Sequence, residues 1–192
     1  MNEIKEFFER IADSWDNKND NLEIIDELFE RISINKNEDI LDLGCGKGIV
    51  SPFIYKYSNK KVIGIDLSEK MIEGAKCNNS DTDKYEYICA DYIDYKFDHK
   101  FDKIIIFNAF PHFLDKNALA EKCYYDLKDK GQLIIMHNLG KERLNKHHME
   151  NASKISCGLR TPEVESKEMN RYFKMIDNTD KSDRYLMVLE KK

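Results

Sequence analysis

The residues with the clearest chemical purpose are Asp42-Leu-Gly-Cys-Gly-Lys-Gly48: three alternating glycines, with a carboxylate two positions ahead of the first. Glycines so spaced let a backbone turn approach a ligand closely. The apolar run before them (Ile40, Leu41, Leu43) reads as a strand, and Ile49, Val50, Phe53, Ile54 and Tyr57 after them read as a helix. A helix starting at the turn would add unpaired N–H groups and the positive end of its dipole. Two phosphate motifs do not fit. The dinucleotide fingerprint needs a third glycine where Ile49 stands, and a P-loop needs Ser or Thr where Gly48 follows Lys47. Asp42 would repel a pyrophosphate but suits a ligand with a cationic end.

Three more polar residues close strand-like runs: Asp66 in Val-Ile-Gly-Ile-Asp-Leu67, Asp91 ahead of Tyr92, and Asn108 after Ile-Ile-Ile-Phe. In open α/β sheets, ligands lie beyond the carboxyl ends of the strands, so these residues should converge with Asp42. Asp66 stands 24 positions after Asp42, about where an acidic residue would grip ribose hydroxyls. Histidines follow the next strand ends: His112, His137, and the His147-His148 pair beyond them. Imidazoles of His112, His137 and His147 brought together could act as a general base with orienting partners, or hold a divalent metal. The alternative is a hydrogen-bonded loop residue at His112 and a polar segment at His147 and His148.

The elements that must position these groups alternate. An amphipathic helix carries Ile4, Phe7, Phe8, Ile11 and Trp15, is broken at Asp16–Asp20, and is followed by a helix with Leu22, Ile25, Leu28, Phe29 and Ile32. Strands are expected at Asp39–Leu43, Lys61–Ile65, Tyr85–Cys89, Lys103–Phe107 and, after the turn residue Gly131, at Gln132–Met136. Ser68 and Asp115 are predicted N-caps, and Thr161-Pro162 opens a further helix. Strand–helix alternation predicts a doubly wound, mostly parallel sheet with helices on both faces. Two closing runs, Tyr172–Ile176 and Tyr185–Leu189, joined by Asp177–Asp183, are too close for a parallel crossover and should form an antiparallel hairpin.

Asp-x-Gly-x-Gly-x-Gly with matched strand ends resembles the class I methyltransferases that use S-adenosylmethionine, over about residues 35–137. The resemblance implies a Rossmann-like seven-stranded sheet forming one domain over 1–192. It implies a helical lid at 1–34 that includes Phe7, Phe8 and Trp15, and a substrate cap at 138–160. It implies that Asp42, Gly44, Cys45 and Gly46 lie at the methionine part of the cofactor and Asp66 and Leu67 at the ribose. Asp91 would accept from the adenine amine, a backbone amide of Tyr92 or Ile93 would donate, and Met71 would pack on the ring. Asn108 completes the set.

Composition narrows the acceptor. A net charge of −5 leaves no basic footprint for nucleic acid, and the aromatic-proline motif of DNA amino-methylating enzymes is replaced by Asn108-Ala-Phe-Pro111. No apolar run reaches membrane-span length, and Met1-Asn-Glu-Ile-Lys-Glu lacks a signal-peptide core. Five scattered cysteines read as free thiols of a reducing cytoplasm. The expected activity is methyl transfer to a small molecule. A cofactor-binding protein without turnover and a protein methyltransferase are the other readings.

Overall fold

Ile40–Leu43 (β1), Val62–Asp66 (β2), Tyr85–Cys89 (β3), Phe101–Phe107 (β4) and Leu127–His137 (β5) pair in parallel, while Phe173–Asp180 (β6) and Tyr185–Lys191 (β7) close the sheet antiparallel. The computed structural model describes residues 3–14, 21–152 and 154–192. Its seven strands run in the order β3-β2-β1-β4-β5-β7-β6. The order reverses between β1 and β4, which opens a crevice at their carboxyl ends.

Period-two alternation sends successive side chains into two cores. Leu41, Leu43, Ile104, Ile106 and Ile135 pack on one face with Leu119 and Cys123 of α5 (Lys116–Asp126). Ile40, Ile105 and Ile134 face the other way, onto Ile25, Leu28 and Phe29 of α2 (Leu22–Arg31) and Ile54 of α3 (Ser51–Ser58). α4 (Glu69–Asn78) adds Ile72 and Ala75 to that second face. Burial on both faces explains why the central strands are continuously apolar. The remaining helices are α1 (Glu3–Ile11), α6 (Lys141–Asn151) and α7 (Pro162–Glu168). Ser68 and Asp115 cap α4 and α5, accepting from Met71 N at 3.2 Å and Ala118 N at 2.9 Å.

Several boundaries differ from expectation. β5 starts at Leu127, and Gly131 is not a turn ahead of it but part of an irregular stretch: the register with β4 jumps from Phe101↔Leu127 to Lys103↔Gln132. β6 runs on to Asp180, so Asp177 and its neighbours belong to the ladder rather than the connection. α3 begins at Ser51, three residues past the last glycine, so Gly48–Val50 belong to the turn. The expected helix break at Asp16–Asp20 and the side chain of Trp15 lie outside the described residues.

Candidate active site

β1 ends at Leu43, and the chain then turns through Gly44, Cys45 and Gly46 with its amides tied to the end of β2. Gly44 N and Cys45 N both donate to Ile65 O, at 2.9 and 3.1 Å, and Gly46 N donates to Asp66 Oδ2 at 2.9 Å. Gly44 and Gly48 lie at φ +69° and +73°, in the left-handed region, and both are crowded. A Cβ on Gly44 would stand 2.7 Å from Ala109 Cβ, and one on Gly48 would stand 2.6 Å from Asn79 Nδ2 and from the Tyr87 hydroxyl. Glycine is needed at both for conformation and for space.

This turn forms one side of a cavity of about 290 Å³. Asp42, Gly44, Cys45, Gly46, Asp66, Leu67, Met71, Asp91, Tyr92 and Asn108, all expected at the site, line it. Asp42 is 1 % exposed; its Oδ2 accepts from Ser51 Oγ at 2.7 Å, while Oδ1 is buried with no partner among the described residues. Burial, opposed by Ser51 and reinforced by Asp66, pushes its carboxyl up to about 7. Asp66 is also raised by burial, against the amides of Ser68 and Gly46 that favour its charged form.

Asp91 Oδ1 accepts from Ile93 N at 3.0 Å, which occupies that amide and leaves Tyr92 to offer the backbone contact expected of the pair. The Tyr92 side chain turns into the core, with its hydroxyl 3.4 Å from Cys123 Sγ. Asn108 stands at φ +54°, a region asparagine tolerates, and its side chain is engaged with Asn138 (Nδ2 to Oδ1, 2.9 Å). Its place at the cavity is therefore set by backbone shape.

The histidines separate. His112 lies on the cavity wall, in the 3-10 turn Phe110–His112. Its Nδ1 is 2.9 Å from Ile155 O. A carbonyl only accepts, so Nδ1 carries the proton and Nε2 keeps its lone pair. Burial pulls the imidazolium down to about 4, so the ring is neutral at physiological pH. Phe8 of α1 meets it edge-on at 5.0 Å, and His148 lies 5.0 Å away on α6.

His137 and His147 do not join His112 in the set expected. His137 is fully buried beside Tyr185, its partner in the antiparallel register, and is not among the residues lining the cavity. As the last residue of β5, it follows the alternation of Leu133 and Ile135 into the core. His147 is exposed and contacts His148 rather than His112. Among the described residues, no group of three or more His, Cys, Asp or Glu is placed to hold a metal ion, so the three-histidine metal arrangement is not formed.

Other wall residues had no local signal. Ile4, Phe113 and Leu114 join Phe8 over the cavity, and Ser51 and His148 act from behind Asp42 and His112. Their roles depend on how elements pack, which spacing does not encode.

The comparisons with known proteins agree with this geometry. Residues 40–131 match the methyltransferase domain family. The chain is 27% identical over 192 residues to malonyl-[acyl-carrier protein] O-methyltransferase 1 of Ilyobacter polytropus, covering 97% of this chain and 67% of that protein. It is 30% identical over 118 residues to (S)-coclaurine N-methyltransferase of Papaver somniferum, covering 59% of this chain but only 33% of that one. The N-methyltransferase NodS from Bradyrhizobium japonicum, solved with S-adenosylhomocysteine, shares the fold at a TM-score of 0.77 over 99% of both chains, with 13% identity.

Over residues 40–131 the chain is thus similar to the methyltransferase domain family, and its fold is shared with proteins solved with S-adenosylhomocysteine. The resemblance of the glycine turn, and the S-adenosylhomocysteine bound in NodS, make S-adenosylmethionine the group to test against this cavity. The residues present fit that group: an unpaired buried carboxylate oxygen at Asp42 suits its cationic end, and Asp66 suits hydroxyls.

Proposed function

We propose that this protein methylates a small molecule whose accepting atom sits against His112, beneath α1. The observation that carries the reading is that one cavity joins the glycine turn, Asp42 and Asp66 to a neutral imidazole with its lone pair free of the proton held by Ile155. The bound cofactor supplies an activated methyl on a sulfonium and its own leaving group. Asp42 and the turn would hold the methionine end, Asp66 the ribose, and Met71 and Asp91 the adenine. His112 Nε2 orients the acceptor and takes its proton. Phe8, Ile4, Phe113 and Leu114 form apolar walls that exclude water.

Residues 1–34 act as a lid in this reading, and 138–160 as a cap whose Ile155 carbonyl fixes the His112 tautomer. The malonyl-carrier and coclaurine relatives act on different atoms, O and N, so the relatives alone do not select the acceptor.

The test is incubation with methyl-labelled S-adenosylmethionine and a panel of phenols, amines, thiols and carboxylic acids. Label should enter the small-molecule fraction. His112→Asn should lower turnover by about 100-fold or more, with S-adenosylhomocysteine affinity nearly unchanged. Label on a polypeptide would favour a protein methyltransferase. Tight binding with no transfer would favour a binding protein.

A further inference from the structure

Three residues on three neighbouring strands fall in one row: Asp42 of β1 pairs with Gly64 of β2, and Gly64 pairs with Tyr87 of β3. Gly64 leaves the middle of that row empty. A Cβ there would lie 2.7 Å from the Tyr87 ring, so only glycine lets the ring lie across β2 toward β1. The Tyr87 hydroxyl is thereby brought near Ser51, the first residue of α3. Ser51 Oγ in turn donates to Asp42 Oδ2 at 2.7 Å.

Ser51 has one hydroxyl proton, and it goes to ionised Asp42. Asn79 Nδ2 donates to the Tyr87 oxygen at 2.9 Å and to Gly48 O, also at 2.9 Å. Ser51 therefore occupies one oxygen of the Asp42 carboxylate. The other oxygen, Oδ1, is buried, on the cavity wall and unpaired among the described residues. Asn79 ties Tyr87 to the glycine turn.

We propose that Ser51 is a positioning residue: its hydroxyl holds Asp42 with Oδ1 aimed at the cationic end of the cofactor, while Asn79 and Tyr87 brace the glycine turn beside that carboxylate. This rests on the cofactor placement given above. Ser51 acts through Asp42.

A carboxylate held in this way links binding to protons. The groups facing Asp42 are Ser51 of α3, Asp66 of β2, Cys45 of the turn and Tyr87 of β3. Burial and Asp66 oppose its ionisation, and only Ser51 favours it. A cationic ligand binds the ionised form better, so binding should release a proton and weaken as pH falls below about 7.

The test is titration calorimetry of the full chain with S-adenosylhomocysteine, from pH 5.5 to 8.5, in buffers of differing ionisation enthalpy. Ser51→Ala should weaken binding about tenfold and move the pH midpoint upward, since it removes the one group favouring ionised Asp42. Tyr87→Phe keeps the ring but loses the oxygen that accepts from Asn79, and should leave the pH midpoint where it is. Wild-type affinity, midpoint and proton release in Ser51→Ala would overturn the proposal. So would a loss of affinity and melting temperature with an unmoved proton count, because that is mere packing. Failure of the wild-type protein to bind S-adenosylhomocysteine would instead remove the cofactor placement.

Discussion

Asp42 is buried at a cost to the free protein that a cationic ligand would offset. Its carboxyl is raised from 3.8 to about 7 by burial. A carboxyl raised in the folded state contributes stability that is full below its unfolded value and lost as pH climbs through the folded value. The ligand-free protein should therefore lose stability between pH 4 and pH 7, by an amount on the order of 4 kcal/mol from this group. Asp42→Asn should flatten that profile in chemical denaturation while abolishing S-adenosylhomocysteine binding; an unchanged pH slope counts against the assignment. His137 is the opposite case, a buried imidazole with neither nitrogen paired among the described residues and no place on the cavity wall. Replacing it by Leu should stabilise the protein by about 1–3 kcal/mol and leave S-adenosylhomocysteine affinity as it was. A loss of affinity would return His137 to the site. These two buried polar residues are told apart only in three dimensions: both stand near the carboxyl end of a strand, but Asp42 faces the cavity and His137 packs on Tyr185.

At the scale of elements, α1 differs from the rest. None of its residues is buried. Besides the contact of Phe8 with His112, it is fastened by polar bonds: Lys5 pairs with Glu69 at 2.9 Å, and Glu9 accepts from Glu69 N at the start of α4 at 2.6 Å. Beyond its end, Lys70 of α4 reaches Asp13 at 3.0 Å. Helices fastened this way open at low cost. Hydrogen exchange should find α1 amides far less protected than those of β4 and β5, and S-adenosylhomocysteine should slow α1 selectively. Equal exchange with and without ligand would remove its role as a lid. The pattern of Ile4, Phe7, Phe8 and Ile11 predicted the helix, yet it could not say that Phe8 covers His112. The irregular start of β5 was illegible for a related reason: Gly131 signals a turn locally, and the neighbouring β4 makes it part of a ladder.

For the whole molecule, the strand ends were legible because a parallel sheet forces them to one side. Asp42, Asp66, Asp91 and Asn108 stand at the carboxyl ends of β1 to β4, and the reversal between β1 and β4 brings them together. The histidines follow no such rule. His112 is placed by a short turn and by a carbonyl from a distant segment, so neither spacing nor strand order located its partners. A cofactor spanning four strand ends should stabilise the whole sheet. S-adenosylhomocysteine at 100 times its Kd should add about 2.7 kcal/mol, or roughly 5–10 °C in melting temperature for a chain of this size. NADH should give no shift, and a comparable shift with NADH would undo the reading of the glycine turn.

The contact between Glu9 and the first amides of α4 has a kinetic meaning as well. Charges in water, alongside the Phe8 ring, hold the cavity shut, so dissolved ions compete directly for part of the closure. Ionic strength then becomes a control on dwell time: dilute buffer should prolong the stay of an enclosed nucleoside, and concentrated salt should hasten its exchange.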